Sequence, residues 1–207
     1  PNGSGKTTLV NVLSGVYAMD GGTVVIASAT FRAIDPEVLP RLGITRTFQD
    51  VRLFEQMRVL DNILVILTER DPWKALFERA RSAHHARAQE VLKKVGLWEK
   101  RLELAYNLSY GQRKLLEIAR VLAMDRDVIL LDEPFAGLFK EMIWIIVGVI
   151  RELRAKGKTI ILIEHNMDLI RELSDHVVVM DAGTLLVEGN PDEVLARRDV
   201  IEAYLGE

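Results

Sequence analysis

The chain opens on Pro1-Asn2-Gly3-Ser4-Gly5-Lys6-Thr7-Thr8. This run fits the phosphate-loop pattern G-x-x-x-x-G-K-[ST], with the leading glycine falling one position before Pro1. Gly3 and Gly5 let the main chain turn so that successive N–H groups point inward at one anion, and a helix starting near Lys6 adds its positive end to that nest. Lys6 is then placed to reach the β- and γ-phosphates, and the Thr7 hydroxyl to ligate Mg2+. On this motif alone, a glycine-rich loop of no consequence is the competing reading.

Further along, Val128-Ile129-Leu130-Leu131-Asp132-Glu133-Pro134 is a uniformly apolar run that ends in two acids. A strand covered on both faces needs that uniform composition, and its carboxyl end is where ligands sit in open α/β sheets. Asp132 suits Mg2+ held through water, and Glu133 suits the polarisation of an attacking water; a solvated turn is the alternative. Leu108-Ser109-Tyr110-Gly111-Gln112 precedes a helical pattern carried by Leu115, Leu116, Ile118, Ala119 and Leu122. Ser109 reads as its N-cap, and a serine, a glycine and free N–H groups at a positive helix end form a second anion site, or a cap and nothing more. Two single residues close strands: Gln49 after Ile44 to Phe48, suited to sensing metal and water, and His165 after Thr159 to Ile163, suited to a γ-phosphate. Each alone is equally a structural residue.

These side chains need a scaffold. Short β-branched runs alternate with longer helical patterns, the arrangement of an α/β fold with a mainly parallel sheet flanked by helices. The patterns predict helices over Gly5–Leu13, Val59–Glu69, part of Pro72–Val95, Gln112–Met124, Lys140–Ala155 and Met167–Leu173. They predict strands over Thr23–Ala27, Ile44–Phe48, Val128–Leu131, Thr159–Ile163, Val177–Met180 and Thr184–Glu188. Between Gln49 and Ser109 the periodicity is helical throughout, which reads as an inserted helical lobe. Gly21-Gly22 and Asp181-Ala182-Gly183 read as turns between strands.

With 207 residues, 49% hydrophobic and 28% charged, the chain is long enough for a sizeable core. A formal net charge of −3 gives no basic footprint for nucleic acid. The absence of cysteine removes disulfides and thiolate metal sites, and four scattered histidines do not suggest metal ligation. The longest apolar run, Met142 to Ile150, is far below the roughly 20 residues a bilayer-spanning helix needs, so no spanning segment is expected. No signal peptide is visible, and the start at Pro1 looks like a cut from something longer.

Lys6, Gln49, Ser109, Asp132 and His165 follow one another in this order, and taken together they make the chain resemble the ABC ATPase family. The family's Walker A motif corresponds to Pro1 to Thr8, its glutamine loop to Gln49, its signature to Leu108 to Gln112 and its Walker B strand to Val128 to Asp132. Glu133 matches its catalytic glutamate, Gly137-Leu138 its D-loop and His165 its switch histidine. Within the family the chain is similar to ATP-binding subunits of branched-chain amino acid importers of the LivG type. The residues that carry this are Arg46-Thr47-Phe48-Gln49, Val51-Arg52-Leu53-Phe54, Tyr110, Phe135-Ala136-Gly137-Leu138 and the ending Val200 to Glu207; urea and amide importers look similar.

The resemblance implies a P-loop NTPase core over 1–50 and 125–207, a helical subdomain over about 51–124, and family strands upstream of Pro1. It implies ATP with Mg2+, phosphates held by Asn2, Gly3, Ser4, Gly5, Lys6, Thr7 and Thr8, and metal near Thr7, Gln49 and Asp132. Glu133, His165 and Gln49 would be catalytic, while Ser109, Gly111 and Gln112 would cap the nucleotide of a second ATPase subunit. The implied partners are that second subunit, transmembrane permease subunits and, indirectly, a solute-binding protein, at the cytoplasmic face of the inner membrane. Two rivals stand beside this reading. One is a non-transport ABC ATPase acting on nucleic acid or ribosomes, expected to carry a coiled-coil arm, a second cassette or basic patches. The other is a catalytically silent interaction fragment, suggested by Phe139 in the D-loop. The apolar helix following Phe139 is expected to leave a greasy strip exposed.

Overall fold

The structure is a computed structural model that describes residues 3–26, 28–48, 51–68 and 78–205. Pro1, Asn2 and Gln49 lie outside the described residues, as do the ends of two anticipated elements, Ala27 and Glu69. The chain divides into two compact units, Pro1–Ile44 with Ile161–Glu207, and Thr45–Ile160.

A three-stranded parallel sheet runs in the order β3-β4-β5, with β3 at Ile44–Arg46, β4 at Val128–Asp132 and β5 at Thr159–Ile163. In β4, Ile129, Leu130, Leu131 and Asp132 are all buried, which is the reason for the uninterrupted apolar run: neither face meets water.

Within the Thr45–Ile160 unit, four helices form the bulk of the core. They are α2 at Val59–Leu67, α3 at Glu78–Lys94, α4 at Tyr110–Met124 and α5 at Lys140–Ala155, and α4 packs on each of the other three. Apolar residues at helical spacing supply the contact, with Ile63, Leu92, Leu116, Ile146 and Val147 fully buried. Asn62, fully buried in α2, is the polar pin of this core. Its amide donates to the Phe54 and Arg58 carbonyls at 3.0 and 3.1 Å, and its Oδ1 accepts from Phe54 N at 2.9 Å. The loop before α2 is thereby fixed without an unsatisfied buried amide. Helix α5 buries Ile146, Val147, Val149, Ile150 and Leu153 but leaves Trp144 50% exposed, with Phe139 just before it 77% exposed. The exposed apolar surface is thus narrower than a strip along the helix, being two aromatics near its start with Met142, Ile143 and Ile145 half-buried.

The other unit holds α1 at Lys6–Leu13 and a hairpin of β1, Val24–Ile26, with β2, Ala29–Phe31. A second hairpin pairs β6, Val177–Asp181, with β7, Thr184–Gly189. Its turn is the anticipated Asp181-Ala182-Gly183, where Ala182 and Gly183 both take positive φ. The Gly21-Gly22 pair instead precedes β1 rather than joining two strands. Helices α6, Met167–Leu173, α7, Pro191–Leu195, and α8, Arg198–Leu205, complete the unit. Val177, Val179, Val194 and Val200 form its small core, with Ile170, Leu186, Val187 and Tyr204 against it. No helix among the described residues is long and apolar enough to cross a membrane.

Candidate functional site

The Gly3–Thr8 segment has the backbone its composition demands. Gly3 and Gly5 take φ of 71° and 94°, values that L side chains rarely adopt. Gly5 is the N-cap of α1 and makes no side-chain cap bond, so the first N–H groups of the helix are not capped by a side chain. Ser4 between the glycines is buried, its carbonyl accepting from Gly183 N at 3.2 Å and its Oγ accepting from Lys6 Nζ at 3.2 Å. The ammonium thus lies back over the loop rather than along the helix, where an anion held by the loop would meet it. Thr7 is half-buried and Thr8 exposed.

At the carboxyl end of β4, Asp132 is 1% exposed and its two carboxylate oxygens differ. Oδ2 pairs with the Arg46 guanidinium at 3.3 Å, whereas Oδ1 is buried without a hydrogen-bond partner among the described residues. Burial pushes this carboxyl above the usual carboxylate range, with Arg46 pulling against it. A buried, unpaired carboxylate oxygen costs free energy unless something cationic or hydrated meets it, and a Mg2+ with its water shell is a hard, oxygen-seeking group of that kind. Asp132 supplies one carboxylate oxygen of that chemistry, and no cluster of three His, Cys, Asp or Glu side chains that could hold a metal by itself lies among the described residues. A metal that keeps most of its ligands from water and phosphate needs no dedicated protein cage.

Glu133, next along, has φ of 47°, a left-handed conformation that costs a non-glycine residue on the order of 1–2 kcal/mol. It begins a tight turn in which Ala136 N donates to the Glu133 carbonyl at 3.3 Å and Leu138 N donates to the Phe135 carbonyl at 3.2 Å. Gly137 follows at φ of 71° with the Tyr110 ring against it.

Ser109 is the N-cap of α4. Its Oγ accepts from Gln112 N at 3.3 Å while the Gln112 side chain accepts from Ser109 N at 3.1 Å, a reciprocal capping box. Gly111 on the first turn packs under the flexible end of Met142, which would have to move to admit a Cβ there. Tyr110 beside it is exposed, so α4 presents a polar, positive end to solvent.

His165 is half-buried just beyond β5, with its backbone N–H donating to Glu164 Oε2 at 3.0 Å. The same oxygen accepts from Asn166 N at 3.3 Å, and Asn166 caps α6 through Asp168 N and Leu169 N. Glu164, 7% exposed, thus shapes the bend that carries the histidine.

Three residues at these places were not legible from the sequence, Lys114, Glu117 and Glu164, and Arg46 was read there only as part of the family resemblance. Lys114 is buried in α4 and donates to the Glu133 carbonyl at 2.5 Å. Glu117, one turn on and 7% exposed, accepts from Phe48 N at 3.1 Å, holding the residue before Gln49. Burial raises the Glu117 carboxyl to about 7 despite that bond and nearby cations. Both line a small cleft with Thr47, Phe48, Asp132 and Pro134. An acid three residues after a lysine in a helix reads as a solvated pair; only the tertiary fold shows that both are covered.

Comparison with known proteins bears on the whole chain. The ABC transporter family model matches residues 1–136, and a model of branched-chain amino acid ATP-binding cassette transporters matches residues 184–207. The chain is 40% identical to the high-affinity branched-chain amino acid transport ATP-binding protein LivG of Salmonella typhimurium, covering all of this chain and 85% of that protein. It is 37% identical to BraF of Pseudomonas aeruginosa, named for the same transport, with the same coverage. Among solved structures, the ADP conformation of an ATP-binding cassette of an ABC transporter superposes with a TM-score of 0.82 at 34% identity, covering 100% of this chain and 85% of that one. A dimeric cassette in a post-hydrolysis state bound to ADP and Pi superposes at 0.79 and 25% identity, covering 92% and 82%.

Proposed function

The chain belongs to the ATP-binding subunits of ABC transporters, and we propose that it is the ATPase of an importer for branched-chain amino acids, working at the cytoplasmic face of the inner membrane. In this reading Asn2, Gly3, Ser4, Gly5, Lys6, Thr7 and Thr8 hold the phosphates. Thr7, Gln49 and Asp132 hold Mg2+, which when bound neutralises charge on the transferring phosphoryl group. Glu133 orients and polarises the attacking water, and His165 contacts the γ-phosphate. Ser109, Gly111 and Gln112 cap the nucleotide of a second ATPase subunit. The helical lobe, about 51–124 between core segments 1–50 and 125–207, passes the resulting motion to transmembrane permease subunits, which a solute-binding protein feeds with substrate.

The observation that carries the hydrolytic part is the pair at the end of β4: a buried carboxylate oxygen with no partner at Asp132, followed by Glu133 held in a left-handed turn. Neither feature serves a strand end that merely meets solvent. The choice of solute rests on the relatives' names and on the match over residues 184–207.

Reconstitution with permease subunits in liposomes tests both parts. Glu133→Gln should lower ATP turnover on the order of a hundredfold or more while ATP still binds. Leucine with its binding protein should stimulate wild-type turnover, and urea or short amides should not. Equal turnover by wild type and Glu133→Gln sinks the enzyme; stimulation by urea alone sinks the solute assignment and leaves the enzyme standing.

A further inference from the structure

Lys114 is a cation that the fold hides. It sits in the second turn of α4 at 3% exposure, its Nζ 2.5 Å from the main-chain carbonyl oxygen of Glu133 and 5.8 Å from the centre of the Tyr110 ring. An ammonium is costly to cover unless strong acceptors and a favourable field offset the lost water. A methionine or leucine would fill the same space at lower cost, so the charged end has to be sought in what it touches.

Beside the opposite charges of Glu117 and Asp132, the ammonium meets the backbone carbonyl of Glu133. That residue stands at φ of 47°, and a non-glycine residue persists there only when its surroundings over-determine it. Ala136 N and Lys114 Nζ both donate to this oxygen. Ala136 N, at 3.3 Å, belongs to the same turn and moves with it. Lys114 belongs to another element, whose position is set by its own buried face, Leu115, Leu116, Ile118 and Ala119. The same helix also presses on the far end of the turn: a Cβ on Gly137 would stand 3.0 Å from Tyr110 Cε1. One stretch of α4 therefore braces the Glu133–Gly137 turn at both ends, and that stretch lies on the helix whose tip is Ser109.

We propose that Lys114 is a positioning residue for ATP hydrolysis: its ammonium, by holding the Glu133 carbonyl, fixes the main-chain conformation from which the Glu133 carboxylate acts. This rests on the reading of Glu133 as the hydrolytic carboxylate. It also gives α4 two duties, presenting Ser109 to a nucleotide at one end and setting the Glu133 turn of its own chain a turn and a half later.

The test is steady-state ATP hydrolysis with Lys114→Met, Lys114→Arg and Glu133→Gln, alone and combined, alongside amide hydrogen exchange at Ala136. Lys114→Met should lower kcat roughly tenfold to a hundredfold, the loss that a misplaced reacting group brings, with KM for ATP within about threefold. Lys114→Arg, which can donate to the same carbonyl, should recover much of that loss. In the Glu133→Gln background, adding Lys114→Met should change the residual rate less than about twofold, because the two act as one unit. Exchange at Ala136 should quicken on the order of tenfold as the turn loosens. If Lys114→Met does not fold, Lys114→Leu, which likewise removes the donor, carries the same comparison. A kcat within twofold of wild type, an equal fractional loss in the Glu133→Gln background, or unchanged exchange at Ala136 overturns the proposal. Wild type and Glu133→Gln turning over at equal rates would overturn the hydrolytic reading as well, whereas an inactive Glu133→Gln beside a fully active Lys114→Met overturns only this one.

Discussion

Glu117 shows how much a single residue's burial decides. Its carboxyl titrates near 7 because water is excluded, and the bond from Phe48 N and the charges of Lys114, Arg120 and Arg52 pull down against that without winning. In the unfolded chain the same group titrates near its ordinary value, so between the two the folded state binds the extra proton. The group's stabilising contribution is present at low pH and is lost as pH rises from the ordinary carboxylate range through about 7. Glu117→Gln keeps an acceptor for Phe48 N and removes the titration. It should therefore be more stable than wild type at pH 8, by at most about 3 kcal/mol, because each pH unit separating the folded and unfolded titrations is worth about 1.36 kcal/mol. At pH 5 the two should be close. Thermal melts at the two pH values check this, and parallel curves for the two proteins would count against it. At this scale the sequence was legible where chemistry dictates the local pattern: glycines flanking Ser4, an Asp-Glu pair ending a greasy strand, a serine three residues before Gln112. It was silent on Glu117, Lys114 and Glu164, since nothing in a helix's own sequence tells which charged side chain its neighbours will cover.

Periodicity carried most of the elements because apolar stripes reflect burial directly, and α5 and α6 have the limits that their patterns predict. Helix α4 starts two residues earlier than its apolar stripe, at Tyr110, because the capping box extends the helix beyond the part that packs. The shortest elements gave no usable pattern, among them one strand and two helices. Strand β2 has three residues, too few for alternation to register, and α7 and α8 bury only one side against a small valine core. The turn after β4 is where element and residue meet. Gly137 combines a left-handed backbone with a Tyr110 ring 3.0 Å from where its Cβ would stand, so Gly137→Ala meets two penalties, conformational and steric. It should cost roughly 1–3 kcal/mol in stability. In a Tyr110→Ala background the steric part should vanish and the cost fall to about 1 kcal/mol. A double-mutant cycle by urea denaturation measures the difference, and a coupling near zero would mean that the ring yields without resistance.

At the scale of the whole molecule, self-association has two separable sources. Phe139 and Trp144 leave apolar surface exposed near the start of α5, which favours contact whether or not nucleotide is present. On the proposed function, the phosphate loop and the Ser109 tip favour contact only through a nucleotide, and a ligand shifts an equilibrium by no more than its differential affinity for the two states. A related cassette has been solved as a dimer bound to ADP and Pi. Sedimentation of Glu133→Gln, which should bind ATP without turning it over, separates the two. It should associate more strongly with Mg2+ and ATP than with ADP, the difference being the nucleotide-dependent part. Ser109→Asp places a negative charge where a phosphate would approach, and should abolish the ATP-dependent association while leaving ATP affinity within about threefold, since the loop that holds most of the phosphate contacts is untouched. Trp144→Glu should do the reverse, reducing association in the absence of nucleotide and sparing the ATP-dependent part. If Ser109→Asp dimerises with ATP as readily as its parent while Trp144→Glu does not, the glue is the apolar surface, and the helix tip has no part in gripping the nucleotide.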